Sequence, residues 1–132
     1  MSPVEVQTID GVPIVRVGED IDAASAAIIE QQLAAALGPD ASSLIVDLSE
    51  TQYLDSAGID MLLRLGDRLL HRRAQLILVI PDGSQLERLV TIVGMPEAIA
   101  IRPAVAEALL EAAQAGAQAR APGPESGGAA VS

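Results

Sequence analysis

The sequence predicts an α/β fold with a mixed, mostly parallel sheet of four to five strands, an antiparallel N-terminal strand and about four helices. Segments with helical periodicity alternate with short apolar runs, a pattern typical of parallel strands joined by right-handed helical crossovers. The run at residues 76–80 is apolar at every position, as expected for a strand covered on both faces. The chain begins instead with two strand-like segments around Asp10-Gly11, a dipeptide that favours tight hairpin turns.

The predicted elements follow the order ββαβαβα and end with a further βα pair. Gly38-Pro39 stops the first helix, and Pro103 starts the last one. The predicted strands cover residues 4–9, 13–17, 44–48, 76–80 and 98–101, and the predicted helices cover residues 25–37, 56–71, 84–93 and 103–115. A chain of 132 residues fits one domain, which we place at residues 1–115. Residues 116–132 are rich in Ala, Gly, Pro and Ser without apolar periodicity, so we expect disorder there.

The composition excludes several classes of partner and site. Eighteen acidic against eight basic residues give a net charge of −10, which repels nucleic acid and anionic lipid, so we expect neither as a partner. Tyr53 is the only aromatic residue, which leaves no stacking platform for single-stranded nucleic acid. The absence of cysteine excludes disulfides and thiolate metal sites. The sequence shows no secretory signal and no apolar run near the roughly 20 residues of a membrane helix, so we expect a cytoplasmic protein.

The segment Leu54-Asp55-Ser56-Ala57-Gly58 places a serine where an apolar strand has ended and an amphipathic helix begins. Either Ser56 or Asp55 is then the helix N-cap, and capping alone explains these residue types. A phosphate on Ser56 would meet unpaired backbone N–H groups and the positive end of the helix dipole. Asp55 and Asp60 lie close by in sequence, so the same phosphate would concentrate negative charge there. The sequence around Ser56 is therefore compatible both with a helix cap and with a hydroxyl that is modified.

The helix that follows carries two further features near its N-terminus. Gly58 is a poor helix former, and its presence suggests close approach by another backbone or by another protein. Met61 is predicted to be exposed on the polar side, where it is a candidate partner contact. At 100° per residue the predicted buried arc, with Leu65 at its edge, consists of Ile59, Leu62, Leu63, Gly66, Leu69 and Leu70.

Catalysis by the chain itself is not expected. The only histidine, His71, lies fifteen positions after Ser56 on the same predicted helix, or roughly 22 Å away, whereas a general base must come within about 3 Å. The nucleophile-elbow pattern Gly-x-Ser-x-Gly is absent around Ser56, and the chain has neither a phosphate-binding glycine loop nor a lysine. Asp47, Asp55 and Asp60 are conceivable magnesium ligands, although capping and a solvated acidic surface explain them better. We therefore expect no enzyme, no cofactor and no metal.

The segment from Leu44 to Gly58, Leu-Ile-Val-Asp-Leu-Ser-Glu-Thr-Gln-Tyr-Leu-Asp-Ser-Ala-Gly, closely resembles the signature of STAS domains. More narrowly, it resembles the bacterial anti-anti-sigma factors, also called anti-sigma factor antagonists. Asp20-Ile-Asp-Ala-Ala-Ser25 is similar to the family's acidic turn before its first helix, and residues 103–110 are similar to its terminal helix. The resemblance covers about residues 4–115 and implies a single STAS domain.

The resemblance implies a partner-switching mechanism. In this family the unphosphorylated protein binds an anti-sigma factor that is also a serine kinase, which frees a sigma factor to join RNA polymerase. The kinase uses ATP to phosphorylate the serine, and a PP2C-type phosphatase removes the phosphate. Ser56 matches the phosphoacceptor. The residues that match the family's acidic and docking positions around it are Asp22, Asp55, Ala57, Gly58 and Ile59.

Two other functions stay open from the sequence. A STAS domain can be a non-phosphorylated subunit of a larger assembly, such as a membrane transport complex or a stressosome-type scaffold, because one fold serves several functions. Ser56 would then be mainly structural. A small-ligand or nucleotide-binding module is the other candidate, and it rests only on the helix N-terminus as an anion site.

Overall fold

The structure of the chain is a computed structural model that describes residues 4–120, with side chains described for residues 4–116. The predicted order of elements is confirmed, with a short 3-10 helix at Met95–Glu97 before the last strand. The strands are β1 (Val4–Ile9), β2 (Val12–Val17), β3 (Ser43–Asp47), β4 (Gln75–Val79) and β5 (Ala100–Arg102). The α-helices are α1 (Ala26–Ala36), α2 (Ser56–His71), α3 (Gln85–Ile92) and α4 (Val105–Arg120). No helix within residues 4–120 is long and apolar enough to span a bilayer.

The five strands form one mixed sheet in the spatial order β1-β2-β3-β4-β5. β1 pairs with β2 antiparallel, and the other neighbouring strands pair parallel, as predicted. Asp10 and Gly11, with φ angles of 51° and 80°, make the turn between β1 and β2. Two consecutive positive φ angles are typical of the type I′ turn that matches the twist of a hairpin. The sheet therefore begins with a tight hairpin whose second strand joins a parallel array.

Two apolar cores flank the sheet, because successive residues of a strand face opposite sides. On one face α1, α2 and α3 pack against alternate strand residues that include Leu44 and Val46. On the other face α4 packs through Ala108 and Ala112 against a smaller core that includes Ile45. Both faces of the central strands are thus covered, which explains why the three middle positions of β3 and of β4 are all apolar.

Two predicted boundaries near the C-terminus are wrong. The last strand begins at Ala100 rather than at residue 98, because the N–H groups of Ala98 and Ile99 both donate to the carbonyl of Met95 in the 3-10 turn. Helix α4 continues to Arg120, so the disorder expected for residues 116–120 is not found. The apolar periodicity stops earlier, but the alanine-rich sequence sustains the helix by propensity. The expected disorder of residues 121–132 concerns positions outside the described residues.

The predicted rotation of α2 is also wrong. Met61 is fully buried, so its expected exposure on the polar side is not found, whereas Leu63 and Leu70 are 36% and 61% exposed. The segment contains two overlapping patterns of helical spacing, and close packing favours the one that includes Gly58. A Cβ on Gly58 would lie 2.9 Å from the carbonyl oxygen of Ile21. The residues that α2 buries are Gly58, Met61, Leu62, Leu65, Gly66 and Leu69.

Candidate functional site

The N-terminus of α2 presents Ser56 to solvent on a capped helix. Asp55 is the N-cap, since its Oδ1 accepts a hydrogen bond of 3.1 Å from the backbone N–H of Gly58. Ser56 is the first residue of the helix and is exposed, and its hydroxyl makes no hydrogen bond with the described residues. The two capping alternatives are therefore resolved in favour of Asp55. The Ser56 hydroxyl is not used to hold the fold together.

The acidic turn before α1 lies directly beside the loop that leads to Ser56. The N–H of Ile21 donates to the carbonyl of Tyr53 at 3.3 Å, and the N–H of Asp55 donates to the carbonyl of Ile21 at 3.1 Å. Together they form an isolated parallel bridge between Ile21 and Leu54, whose side chains are both buried. The chain segments before α1 and before α2 are thus paired like two short strands.

Three side chains reinforce this pairing. Oδ1 of Asp20 accepts hydrogen bonds from the N–H groups of Gln52 and Tyr53, at 2.8 and 3.2 Å. The hydroxyl of Thr51, which is buried, lies 3.0 Å from the carbonyl oxygen of Glu19. Oδ2 of Asp55 accepts from the N–H of Ala23 at 3.1 Å, while its Oδ1 caps α2. We call residues 19–23 and 51–55, joined in this way, the paired loops.

Asp22 lies in the paired loops and caps the turn into α1. Its Oδ1 accepts hydrogen bonds of 3.0 Å from the N–H groups of both Ala24 and Ser25, and Asp22 is exposed. Because the next residue, Ala23, bonds to Asp55, the structure brings Asp22, Asp55 and Ser56 to one end of the α1 and α2 helices. Sequence reasoning placed these three residues in one site, and the geometry now explains their proximity.

The remaining predicted site residues differ in accessibility. Ala57 and Ile59 are partly buried and pack against the larger core. Gly58 is buried, and a Cβ at this position would lie 2.9 Å from the carbonyl oxygen of Ile21. The close approach expected at Gly58 is thus made by the chain's own backbone. Met61 lies wholly inside the core, so neither Gly58 nor Met61 presents a side chain to a partner.

Residues that support the site were missed from the sequence. Asp20 and Thr51 hold the paired loops together over separations of 32 and 33 residues. Such contacts leave no local pattern, because aspartate and threonine are ordinary residues in turns. The acidic run at residues 19–22 was the only available signal. Hydrogen bonds between segments this far apart in sequence can be recognised only once the fold is known.

Ion pairs fix the two helices that carry the site. Arg64 pairs with Asp60 on its own helix and lies 3.2 Å from Glu30 on α1, and Arg68 lies 3.6 Å from the same Glu30. Asp60 is therefore compensated by an arginine. In contrast, within the described part of the chain Asp22 and Asp55 take part in no ion pair. Ser56 therefore lies near two carboxylates that no cation of the described residues compensates.

The other candidate residues make local contacts or lie far from Ser56. Oδ1 of Asp47 accepts a hydrogen bond of 2.9 Å from the N–H of Ser49, which is a local turn contact. Among residues 4–116, no three His, Cys, Asp or Glu side chains are grouped so that they could hold a metal ion. His71 lies at the C-terminal end of α2, the end opposite Ser56. The site presents an exposed hydroxyl near the carboxylates of Asp22 and Asp55.

Comparison with known proteins is consistent with this arrangement. Residues 3–108 match the sequence model of the STAS domain. The fold is similar to an anti-sigma factor antagonist from Mycobacterium paratuberculosis, with 24% identity, a TM-score of 0.73, and coverage of 83% of this chain and 92% of that one. It is also similar to the anti-sigma factor antagonist SpoIIAA in its unphosphorylated form, with 15% identity, a TM-score of 0.59, and coverage of 84% and 97%. A third similar structure, the murine anion transporter Slc26a9, has 27% identity and a TM-score of 0.66, with coverage of 82% and 18%.

Proposed function

This chain belongs to the STAS domain family, and we propose that it is an anti-sigma factor antagonist whose partner choice is set by phosphorylation of Ser56. In this proposal the unphosphorylated chain binds an anti-sigma factor that is also a serine kinase, in the cytoplasm, and a sigma factor is released. The kinase transfers a phosphate from ATP to the Ser56 hydroxyl, and the chain then leaves the kinase. A PP2C-type phosphatase hydrolyses the phosphoserine and restores binding. The chain itself acts as a binding protein rather than as an enzyme.

The observation that carries this proposal is the state of the Ser56 hydroxyl. It is exposed at the first position of α2 and free of hydrogen bonds to the described residues, while Asp55 performs the capping. The serine at the N-terminus of α3 differs. The hydroxyl of Ser84, at the N-cap of α3, accepts from the N–H of Glu87 and donates to the carbonyl of Pro81. A kinase can therefore reach Ser56 without disturbing a cap.

The surroundings of Ser56 explain how a phosphate would change binding. The phosphate adds about −1.5 to −2 charges. The N–H of Gly58, which could have neutralised part of that charge, is already bonded to Asp55. Asp22 and Asp55 lie at the same end of the helices, so the added phosphate would make this surface more negative. Unfavourable like-charge contacts in an interface cost several kcal/mol, enough to release a bound kinase.

The proposed docking surface is smaller than the sequence predicts. Its accessible part consists of the exposed Ser56 and Asp22, flanked by the partly buried Asp55, Ala57 and Ile59. Gly58 and Met61 support this surface from below, since both are buried. We therefore expect substitutions at these two positions to act on stability first. Substitutions at Asp22 should act on partner binding as well as on the turn into α1.

Phosphorylation of the purified chain tests the proposal. The chain is incubated with ATP and the anti-sigma factor kinase from the same organism, and its intact mass is measured. We expect the mass of one added phosphate on the natural chain and on Ser84→Ala, and no added phosphate on Ser56→Ala. Ser84 is the matched control because it also lies at a helix N-terminus. A phosphate that persists in Ser56→Ala contradicts the assignment of the site.

The similarity to an anion transporter favours one alternative, a STAS subunit of a transport complex. The chain matches 18% of that transporter's length at 27% identity. In this alternative Ser56 is structural and partners include membrane proteins. Affinity purification of the tagged chain from its own organism separates the two functions. Recovery of an anti-sigma factor kinase supports the first function, and recovery of transporter subunits without a kinase supports the second.

A further inference from the structure

The two edges of the sheet differ in how they are protected against pairing with other strands. The edge strand β5 has only three residues, and the guanidinium of Arg102 donates a hydrogen bond of 2.7 Å to the carbonyl of Ile101. The other edge strand, β1, has six residues in unbroken register with β2 and contains no Pro, Lys or Arg. Natural proteins protect exposed edges with short strands, bulges, prolines and charges. Such protection is present at β5 and largely missing at β1.

The hairpin turn determines which backbone groups of β1 point outward. In a two-residue type I′ hairpin the closing pair, here Ile9 and Val12, is hydrogen-bonded. Because hydrogen-bonded and non-hydrogen-bonded pairs alternate along an antiparallel ladder, Gln7 and Glu5 also bond to β2. The N–H and C=O groups of Val6 and Thr8 therefore point away from the sheet, and no described strand lies on that side. The side chain of Val6 is 55% exposed.

We infer that β1 is a dimerisation edge, on which a second copy of this chain pairs antiparallel through its own β1. A two-fold axis beside Gln7 places Val6 opposite Thr8 of the second copy, and Thr8 opposite Val6 of the second copy. The outward N–H and C=O groups of these residues then form four hydrogen bonds, with β-branched side chains in both pairs. The two five-stranded sheets become one sheet of ten strands.

The charges on β1 favour this register. Glu5, the only charged residue of the strand, faces Ile9 of the second copy rather than another Glu5. Its carboxylate also lies 3.9 Å from the guanidinium of Arg16 on β2, which partly compensates its charge. Each copy carries a net charge of −10, so overall repulsion opposes association. The dimer is therefore weak at low ionic strength and tightens as salt screens the repulsion. β1 carries none of the residues of the proposed docking surface.

Analytical ultracentrifugation and amide exchange of the isolated chain test this inference. We expect a monomer–dimer equilibrium between about 20 μM and about 1 mM, shifted toward dimer as salt rises from about 0.05 to about 0.5 M. Residue-resolved exchange should show the amides of Val6 and Thr8 becoming protected as the dimer forms. The amide of Gln7 should be protected at all concentrations because it bonds to β2.

Substitutions at the edge provide the control. Val6→Lys, a change at an exposed position, should weaken the dimer at least about tenfold, and so should Thr8→Pro, which removes an outward N–H. Ile92→Lys makes the same change at a position that is 82% exposed on α3, and it should leave the dimer unchanged. If β1 instead receives a strand of another protein, the chain alone stays monomeric and Val6 and Thr8 exchange rapidly. That result, or a dimer unaffected by Val6→Lys, overturns the inference.

Discussion

The carboxylate of Asp55 accepts a hydrogen bond of 3.1 Å from the N–H of Ala23, which lies 32 residues earlier in the chain. Its other oxygen caps α2 through Gly58 at the same distance. One side chain thus fixes both the start of the helix that carries Ser56 and the acidic turn beside it. The position of the candidate phosphoacceptor relative to Asp22 depends on this double contact.

Replacement of Asp55 by asparagine should lower the free energy of unfolding by about 1 kcal/mol. The amide oxygen of asparagine can replace only one of the two carboxylate acceptors, so the Ala23 or the Gly58 N–H loses its partner. Urea unfolding followed by circular dichroism measures the change. Asp82→Asn, at an exposed aspartate in the turn before α3, should change stability by less than about 0.5 kcal/mol. An equal effect of the two substitutions would show that the bridge contributes nothing.

Gly58→Ala should destabilise the protein by about 1–3 kcal/mol despite the higher helix propensity of alanine. The new Cβ would lie 2.9 Å from the carbonyl oxygen of Ile21, and because the backbone fixes the positions of both atoms, the clash is relieved only if the backbone shifts. Gly38→Ala is the matched control, because a Cβ there meets no atom within 4 Å. Its effect should stay within about 1 kcal/mol. Thermal or urea unfolding measures the stability of both variants. A Gly58→Ala variant more stable than the natural chain would contradict the packing described.

Much of the fold could be predicted from the sequence because local patterns determine it. The Asp10-Gly11 turn, the apolar run of β4 and the alternation of helix and strand give the mixed sheet directly. The rotation of α2 could not be predicted, since two helical arcs share Leu62, Gly66 and Leu69. The observed arc also contains Gly58, whose close contact with Ile21 the sequence does not reveal. This contact joins segments that lie 37 residues apart in the chain.

In the candidate site, too, features set by local sequence could be predicted and features set by distant contacts could not. Ser56 and Asp55 are visible from the boundary between an apolar run and an amphipathic helix. The roles of Asp20 and Thr51 are not visible, because their partners lie more than thirty residues away and are backbone groups. Backbone donors and acceptors are the same at every position, so no residue type indicates which of them a side chain will meet.

The corrected rotation of α2 predicts different effects for two apolar residues on that helix. Met61→Ala should cost about 2–5 kcal/mol, since Met61 is fully buried in the larger core. Leu70→Ala should cost less than about 1 kcal/mol, because Leu70 is 61% exposed. Chemical unfolding measures both. The opposite order would support the arc predicted from the sequence over the one in the structure.

Charge at position 56, rather than loss of the hydroxyl, should control partner binding. Ser56→Ala removes a group that makes no hydrogen bond with the described residues, so binding to the kinase should change less than about threefold, or less than about 0.7 kcal/mol. Ser56→Asp adds a carboxylate beside Asp22 and Asp55 and should weaken binding far more. Titration calorimetry with the kinase compares the variants. Equal affinities for Ser56→Ala and Ser56→Asp would argue against an electrostatic switch.

In the proposed function, a phosphate on Ser56 decides whether the kinase remains bound. The most direct test is the affinity of the anti-sigma factor kinase for the unphosphorylated chain and for the chain phosphorylated at Ser56, measured at the same salt concentration. We predict that the phosphorylated chain binds at least about 100-fold more weakly, which corresponds to about 2.7 kcal/mol. Equal affinities for the two forms would show that phosphorylation of Ser56 does not control kinase binding.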